Sequence, residues 1–295
     1  MATFYGLGAI LMWGLLALFG SLTISIPAFQ LLFICFLISS LIMFVRRFLR
    51  KESLFRLPTL RLSQWLIGTS GLFSFHFLYF MALKQAPVLE VSLIVYLWPL
   101  LLAILVAAHG YRLQAMLGGL IGFMGIVVIM TSKGDLNLSI ESSFGYLIAL
   151  MCALVWSSYS TYLAKSPGEV DDIGWISLAV AVLSLLAHLA LESDFSLSTA
   201  HWQFTSSAWL GAILLGLGPV GGAFYLWDLG LKQGNQSLLA SLSFCAPLIS
   251  SISLILVGKE PASITLIIAV ALIMLGGFIA NWRTRKTSHP VTEAL

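Results

Sequence analysis

Ten stretches of this chain run for about 20 residues almost without a charged side chain, and that pattern constrains the fold more than any motif. They fall at approximately 4–22, 28–46, 64–83, 88–108, 113–131, 143–164, 173–191, 207–231, 237–257 and 262–282. As helices rising about 1.5 Å per residue, such runs cross the hydrocarbon of a bilayer. Composition agrees. The 295 residues are 59% hydrophobic and 9% charged, too few polar side chains to cover a water-soluble domain. The sequence predicts an all-α polytopic membrane protein of ten transmembrane helices. The longest polar stretches, 46–63, 192–206 and the tail 283–295, leave no room for a soluble domain. The basic residues sit in short loops and form no nucleic-acid footprint, despite a net charge of +3. Cys35, Cys152 and Cys245 lie inside apolar runs without CxxC spacing, so neither a disulfide framework nor a metal site is expected. The opening MATFYG has no basic n-region and reads as the start of a retained helix.

Lys and Arg resist translocation and so set the orientation. With the N-terminus in the cytoplasm, Arg46, Arg47, Arg50, Lys51, Arg56, Arg61, Arg112, Lys165, Lys232, Arg283, Arg285 and Lys286 fall inside, against Lys84, Lys133 and Lys259 outside: 12 to 3. Both termini are then cytoplasmic. Trp65, Trp175, Trp209 and Trp282 fall near the expected interfaces, where tryptophans anchor helices.

A duplication is written into the same runs. Lys84-Gln85 precedes an apolar segment with Pro99, and Lys232-Gln233 precedes one with Pro247. Both offsets are 148 (232 − 84 and 247 − 99). A repeat of five spans must insert its second copy upside down, giving two inverted halves able to alternate between inward-open and outward-open forms. The expected organisation is a first repeat over 1–132, an outer linker at 133–142, a second, inverted repeat over 143–282 and a cytoplasmic tail at 283–295.

Few side chains could carry chemistry. Pro99 lies midway along VLEVSLIVYLWPLLLAILVAA. It removes an N–H and clashes with the Val95 carbonyl, so the helix must kink, as a hinge or as a packing bend. Ser92, Tyr96 and Pro99 share one face, and Trp98 flanks it. Pro247, preceded by Ser241, Ser243 and Cys245, is the repeat partner. His76 and Tyr79 share a face of the third segment. A histidine in the bilayer interior lines a cavity, as a donor to a substrate carboxylate or carbonyl, or else holds another helix. Trp13 and Trp156 occupy corresponding mid-membrane positions, away from the interfaces, with Tyr159 and Ser160 following Trp156. His188 and Glu90 sit near helix ends. Asp228 stands one turn before Lys232, and these charges read as structural. Gly118-x-x-x-Gly122 and Gly218-x-x-x-Gly222 allow close helix contact, and Gly218-Pro219 followed by Gly221-Gly222 makes the eighth segment pliable.

The ten spans, the duplication, Met12-Trp13-Gly14 in the first segment and the paired Pro99 and Pro247 together resemble the drug/metabolite transporter superfamily. The match is to its ten-helix branch with two EamA-type repeats, over about 4–282. More narrowly, LEVSLIVYLWPLL (89–101) is similar to the corresponding stretch of bacterial aromatic amino acid exporters. Ser157-Ser158 departs from the alanines usual after the sixth-segment tryptophan. The resemblance implies a multi-pass inner-membrane exporter of aromatic and other neutral amino acids, with related members also extruding paraquat-like compounds. By that resemblance His76, Tyr79, Tyr96, Trp98, Trp156 and Ser241 line a central cavity. No cofactor is implied; the partners are a small-molecule substrate and the lipid bilayer.

The residues carry the comparison of functions further. A phosphate-ester carrier should have intramembrane Lys or Arg, and all 15 basic residues lie in expected loops or at helix ends. A membrane enzyme should show HExxH, GxSxG or clustered His and Asp, and none is present. A multidrug or metabolite exporter with proton coupling stays open as the alternative, with His76 the only deep titratable candidate. Facilitated transport is expected, with His76 acting as a hydrogen-bonding group.

Overall fold

In a bilayer only a helix or a closed barrel satisfies its own backbone, and each apolar run here folds as a helix. The computed structural model describes residues 2–132, 134–136, 138–193, 195, 202–258 and 263–282. Ten helices are long and apolar enough to cross a membrane: α1 (Ala2–Gly20), α2 (Ala28–Leu49), α3 (Leu62–Gln85), α4 (Val88–Val106), α5 (His109–Thr131), α6 (Ser143–Leu163), α7 (Asp172–Leu191), α8 (Ser206–Gln233), α9 (Gln236–Leu256) and α10 (Ile264–Asn281). The sequence segments match them to within a few residues. Lys133, Lys259, the tail 283–295 and most of 192–203 lie outside the described residues.

Helix starts follow local chemistry. Pro27 and Pro87 sit immediately before α2 and α4, where a missing N–H is harmless. Thr205 Oγ1 accepts from Ala208 N at 3.3 Å, and Asn235 Oδ1 accepts from Leu238 N at 3.0 Å, capping α8 and α9.

Four helices are interrupted near their middles. In α4 the helix stops at Val95 and resumes at Trp98, with Pro99 in the new first turn. Between them Leu97 N bonds Ile94 O at 3.1 Å, an i−3 bond that tightens the turn. In α9 a 3-10 turn at Ser243–Cys245 precedes Pro247. The expected proline kinks are both present. In α8, Gly218–Gly221 separate Ser206–Leu217 from Gly222–Gln233. A side chain on Gly221 would lie 1.8 Å from the Gly216 carbonyl, so only glycine fits. Gly218 and Gly222 therefore shape a break within one helix; they are not the helix-packing surface that their spacing suggests. The fourth interruption, at Leu15 in α1, directly follows Gly14.

The closest pairings are α5 with α10, α2 with α7, α3 with α6, and α1 with α8. Lipid is as apolar as leucine, so close van der Waals fit holds such pairs. Gly118 and Gly122 provide it as expected, since a Cβ on Gly276 of α10 would sit 2.4 Å from the Gly118 carbonyl. The α2–α7 pair is tied at both ends. At one, Arg47 Nε meets Asp171 at 3.0 Å, and Arg46 pairs with the same carboxylate. At the other, Glu192 accepts from Phe29 N at 3.0 Å, Gln30 N at 3.3 Å and His188 Nδ1 at 2.8 Å. His188 thus has the structural role expected of it. The first of these ends also holds Arg56 and Lys232 and is called the basic end below.

Candidate functional site

The four breaks surround a cavity of about 320 Å³. It reaches from mid-helix toward the end opposite the basic one, where Gly20 of α1 and Ala28 of α2 line it. Its walls are aromatic: Trp13, Phe75, Tyr79, Phe80, Tyr96, Trp98, Trp156 and Phe224. Its polar groups are His76, Ser92, Ser250 and the two tyrosine hydroxyls. Among the described residues its lining contains no Asp, Glu, Lys or Arg.

The tryptophans form one cluster. Trp13 packs edge-on against Trp98 (centroids 5.9 Å, 85°) and Trp156 (5.8 Å, 77°), and tilted against Trp227 (5.0 Å). Trp98 and Trp156 meet at 6.1 Å and 88°. Such pairs each contribute about 0.5–1.5 kcal/mol beyond burial. Trp227 is fully buried behind the others and forms the second layer of the floor. Phe224 stacks on Phe36 at 5.7 Å and 5°.

The breaks supply the polar groups that this cluster needs. Trp13 Nε1 donates to the Pro219 carbonyl in the α8 break at 3.1 Å. Trp227 Nε1 donates to Ser160 Oγ at 3.2 Å. Ser157 Oγ lies 3.1 Å from the carbonyl of Trp98 and 2.6 Å from that of Ala153. The serine that departs from the usual alanine thus ties α6 to the α4 break.

His76 lies between Phe36, Phe75 and Phe224, with ring centroids at 5.3, 5.0 and 6.0 Å. Its Nδ1 is 2.8 Å from the Leu72 carbonyl. A carbonyl can only accept, so Nδ1 carries the proton. In the neutral ring Nε2 is then an acceptor. The neutral ring therefore leaves an acceptor, Nε2, as its second nitrogen, where the sequence reading has His76 as a donor.

Five of the six residues expected to line the cavity do so: His76, Tyr79, Tyr96, Trp98 and Trp156. Ser241 does not. It is buried two residues before the 3-10 segment, where its Oγ accepts from Asn281 Nδ2 at 2.9 Å and donates to the Ser237 carbonyl at 3.1 Å. The α9 residues that reach the cavity are Ala246 and Ser250. The 3-10 turn at Ser243–Cys245 lies between them, and Ser241 faces Asn281 of α10. Pro99 and Pro247 are buried beside the cavity, outside its lining. Sequence reasoning missed Pro219, whose carbonyl only the α8 break exposes, and Phe75 and Phe224, which carry no signal among so many apolar residues.

The EamA-like transporter family model matches residues 1–131 and 143–282. The aromatic amino acid exporter YddG of Ancylobacter novellus is 39% identical over 294 residues, 97% of this chain and 98% of that protein. The aromatic amino acid exporter YddG of Salmonella typhimurium is 26% identical over 70% of this chain and 71% of its own length. A solved crystal structure shares 37% identity at a TM-score of 0.85, covering 97% of this chain and 98% of that one. With ten spanning helices and these bacterial relatives, the protein is a multi-pass inner-membrane protein. The chain belongs to the EamA-like transporter family.

Proposed function

We propose that this protein exports aromatic and other neutral amino acids by facilitated alternating access. The observation that carries the reading is the cavity itself: about 320 Å³, walled by aromatic rings and free of charged side chains among the described residues. That volume falls within the usual range of small-molecule sites, about 300–1,000 Å³. Ring faces hold an apolar side chain and attract an ammonium. His76 Nε2 and the hydroxyls of Tyr79, Tyr96, Ser92 and Ser250 meet the zwitterion. Trp13, Trp98 and Trp156 grip the side chain. The exporter names of the relatives point to the same substrates.

The 12-to-3 distribution of Lys and Arg supports a cytoplasmic basic end and cytoplasmic termini. The cavity then faces outward. The breaks in α4 and α9 at the same offset, with the linker 133–142 between the two matched regions, support two inverted repeats hinged at Pro99 and Pro247.

A proton-driven exporter needs a titratable group of alternating access near the midplane. Among the described lining residues the cavity offers His76, whose ring sits between Phe36, Phe75 and Phe224 with Nδ1 on the Leu72 carbonyl, a setting for a hydrogen-bonding group rather than a charged carrier. Purified protein in liposomes loaded with labelled phenylalanine tests both claims. Saturable efflux, unchanged by an imposed pH gradient, is expected. Accumulation of phenylalanine against its own gradient, abolished by His76→Gln, would establish proton antiport instead. The absence of any phenylalanine flux would remove the amino acid reading.

A further inference from the structure

Below the tryptophan floor, on the basic side, lies a second polar site. Asp228 is fully buried on α8, and its Oδ1 lies 2.8 Å from Lys232 Nζ one turn on. Its Oδ2 has no hydrogen-bond partner among the described residues, nor does the hydroxyl of Tyr159, a side chain only 4% exposed. Asp228, Lys232 and Tyr159 share a cleft of about 20 Å³, room for about one water molecule. Tyr159 also packs on Trp156, which lines the outer cavity, with ring centroids at 5.6 Å, so adjoining rings connect the cleft to the cavity floor.

The cleft is closed by a thin contact. Lys232 Nζ donates to the Gly168 carbonyl at 3.4 Å, where the backbone takes φ +153°, a conformation suited to glycine. The neighbouring loop is held by stronger bonds: the Asp172 carboxylate accepts from Thr59 N at 2.8 Å, Thr59 Oγ1 at 2.6 Å and Glu169 N at 2.8 Å. Opening at this end therefore most readily separates α8 from the 164–171 loop and uncovers the Asp228–Lys232 pair.

We propose that Asp228, Lys232 and Tyr159 form the site that first receives an α-amino acid zwitterion from the cytoplasm, seen here in its closed state. The inference rests on the exporter reading above and deepens it. A buried carboxylate is tolerated only while paired. In the closed state Lys232 pairs it. In the open state the substrate ammonium takes Asp228, while the substrate carboxylate takes Lys232 and the Tyr159 hydroxyl. Asp228 and Lys232 thus each keep a charged partner in both states, while the other two carboxylates of the cleft are held by Arg56 (Glu169) and by Thr59 and the Glu169 N–H (Asp172). The substrate side chain then faces Trp156 and Trp227, the layer it must cross. Outer cavity and inner cleft thus divide the work: the uncharged cavity selects the side chain, and the charged cleft selects the α-amino and α-carboxyl groups.

The test is phenylalanine transport by inside-out and right-side-out membrane vesicles, compared as KM on each face. In inside-out vesicles, Asp228→Asn and Lys232→Met should each raise KM about tenfold or more, as loss of one charge-assisted hydrogen bond does. Tyr159→Phe, which only removes an unpartnered hydroxyl and so keeps the fold, should raise it about threefold. KM in right-side-out vesicles should stay near wild type for all three. Phenethylamine, which lacks the carboxylate, should be insensitive to Lys232→Met and sensitive to Asp228→Asn. Equal effects on both faces, or a normal inside-out KM for Tyr159→Phe, would overturn the receiving site and leave the pair as a latch. Failure of wild-type vesicles of both orientations to move phenylalanine would overturn the exporter reading and this site with it.

Discussion

Helices α4 and α9 both break just before a proline, 148 residues apart, yet they contribute very differently to the cavity. The α4 break puts Ser92, Val95, Tyr96 and Trp98 on the wall, and its Trp98 carbonyl is tied across to Ser157 of α6. The α9 break presents only Ala246 and Ser250, and Ser243 Oγ turns back to its own helix at Leu239, 2.8 Å away. The same backbone device therefore serves two purposes. In α4 it aims aromatic side chains into the cavity, whereas in α9 it bends a smooth wall. A proline fixes where a helix kinks; the residues before it decide what the kink presents.

The largest separation of the two should come from side chains. Trp98→Ala removes edge contacts to Trp13, Trp156 and Trp227 and should lower phenylalanine efflux about tenfold or more. Trp98→Phe should keep part of the rate, and Ser250→Ala on α9 should stay within about twofold of wild type. Liposomes of matched protein content would measure this. Equal losses at both positions would erase the asymmetry.

The backbone should behave more symmetrically. Pro99→Ala and Pro247→Ala each restore an N–H donor and let a helix straighten. If the breaks are opposed hinges, cysteine labelling from the two faces should shift about fivefold in opposite directions, for roughly 1 kcal/mol each. Shifts in the same direction would break the paired-hinge account.

Smaller effects sharpen the contrast. Ser157→Ala should destabilise the protein by about 0.5–1.5 kcal/mol, read as a lower melting temperature in detergent. Ser241→Ala should leave the KM for phenylalanine within about twofold of wild type. A large rise in KM would return Ser241 to the substrate path that the sequence resemblance implies for it.

The ten helices were legible because a bilayer imposes one length and one polarity on every span. The breaks at Pro99 and Pro247 were legible because proline cannot donate. The Leu15 break in α1 was not, since a lone glycine such as Gly14 is common in membrane helices and does not by itself announce a break. Trp98 and Trp156 could be placed because mid-membrane tryptophans need a reason. Trp227 gave no such signal near the end of its segment, and yet it underlies the whole floor. Ser241 stands off the cavity wall with a 3-10 turn between it and Ala246, and one such turn changes the phase of every residue before it, which no sequence pattern announces. His76 was visible as an intramembrane histidine, but which of its nitrogens faces a ligand depends on the Leu72 carbonyl, a contact no side-chain pattern encodes.

The central claim is that an uncharged aromatic cavity sets the substrate class. Competition against labelled phenylalanine efflux from liposomes tests it most directly. Tryptophan, tyrosine and leucine should compete, while glutamate and lysine should compete at least about tenfold more weakly, because the cavity has no partner for a side-chain charge. Glutamate or lysine competing as well as tryptophan would contradict the account.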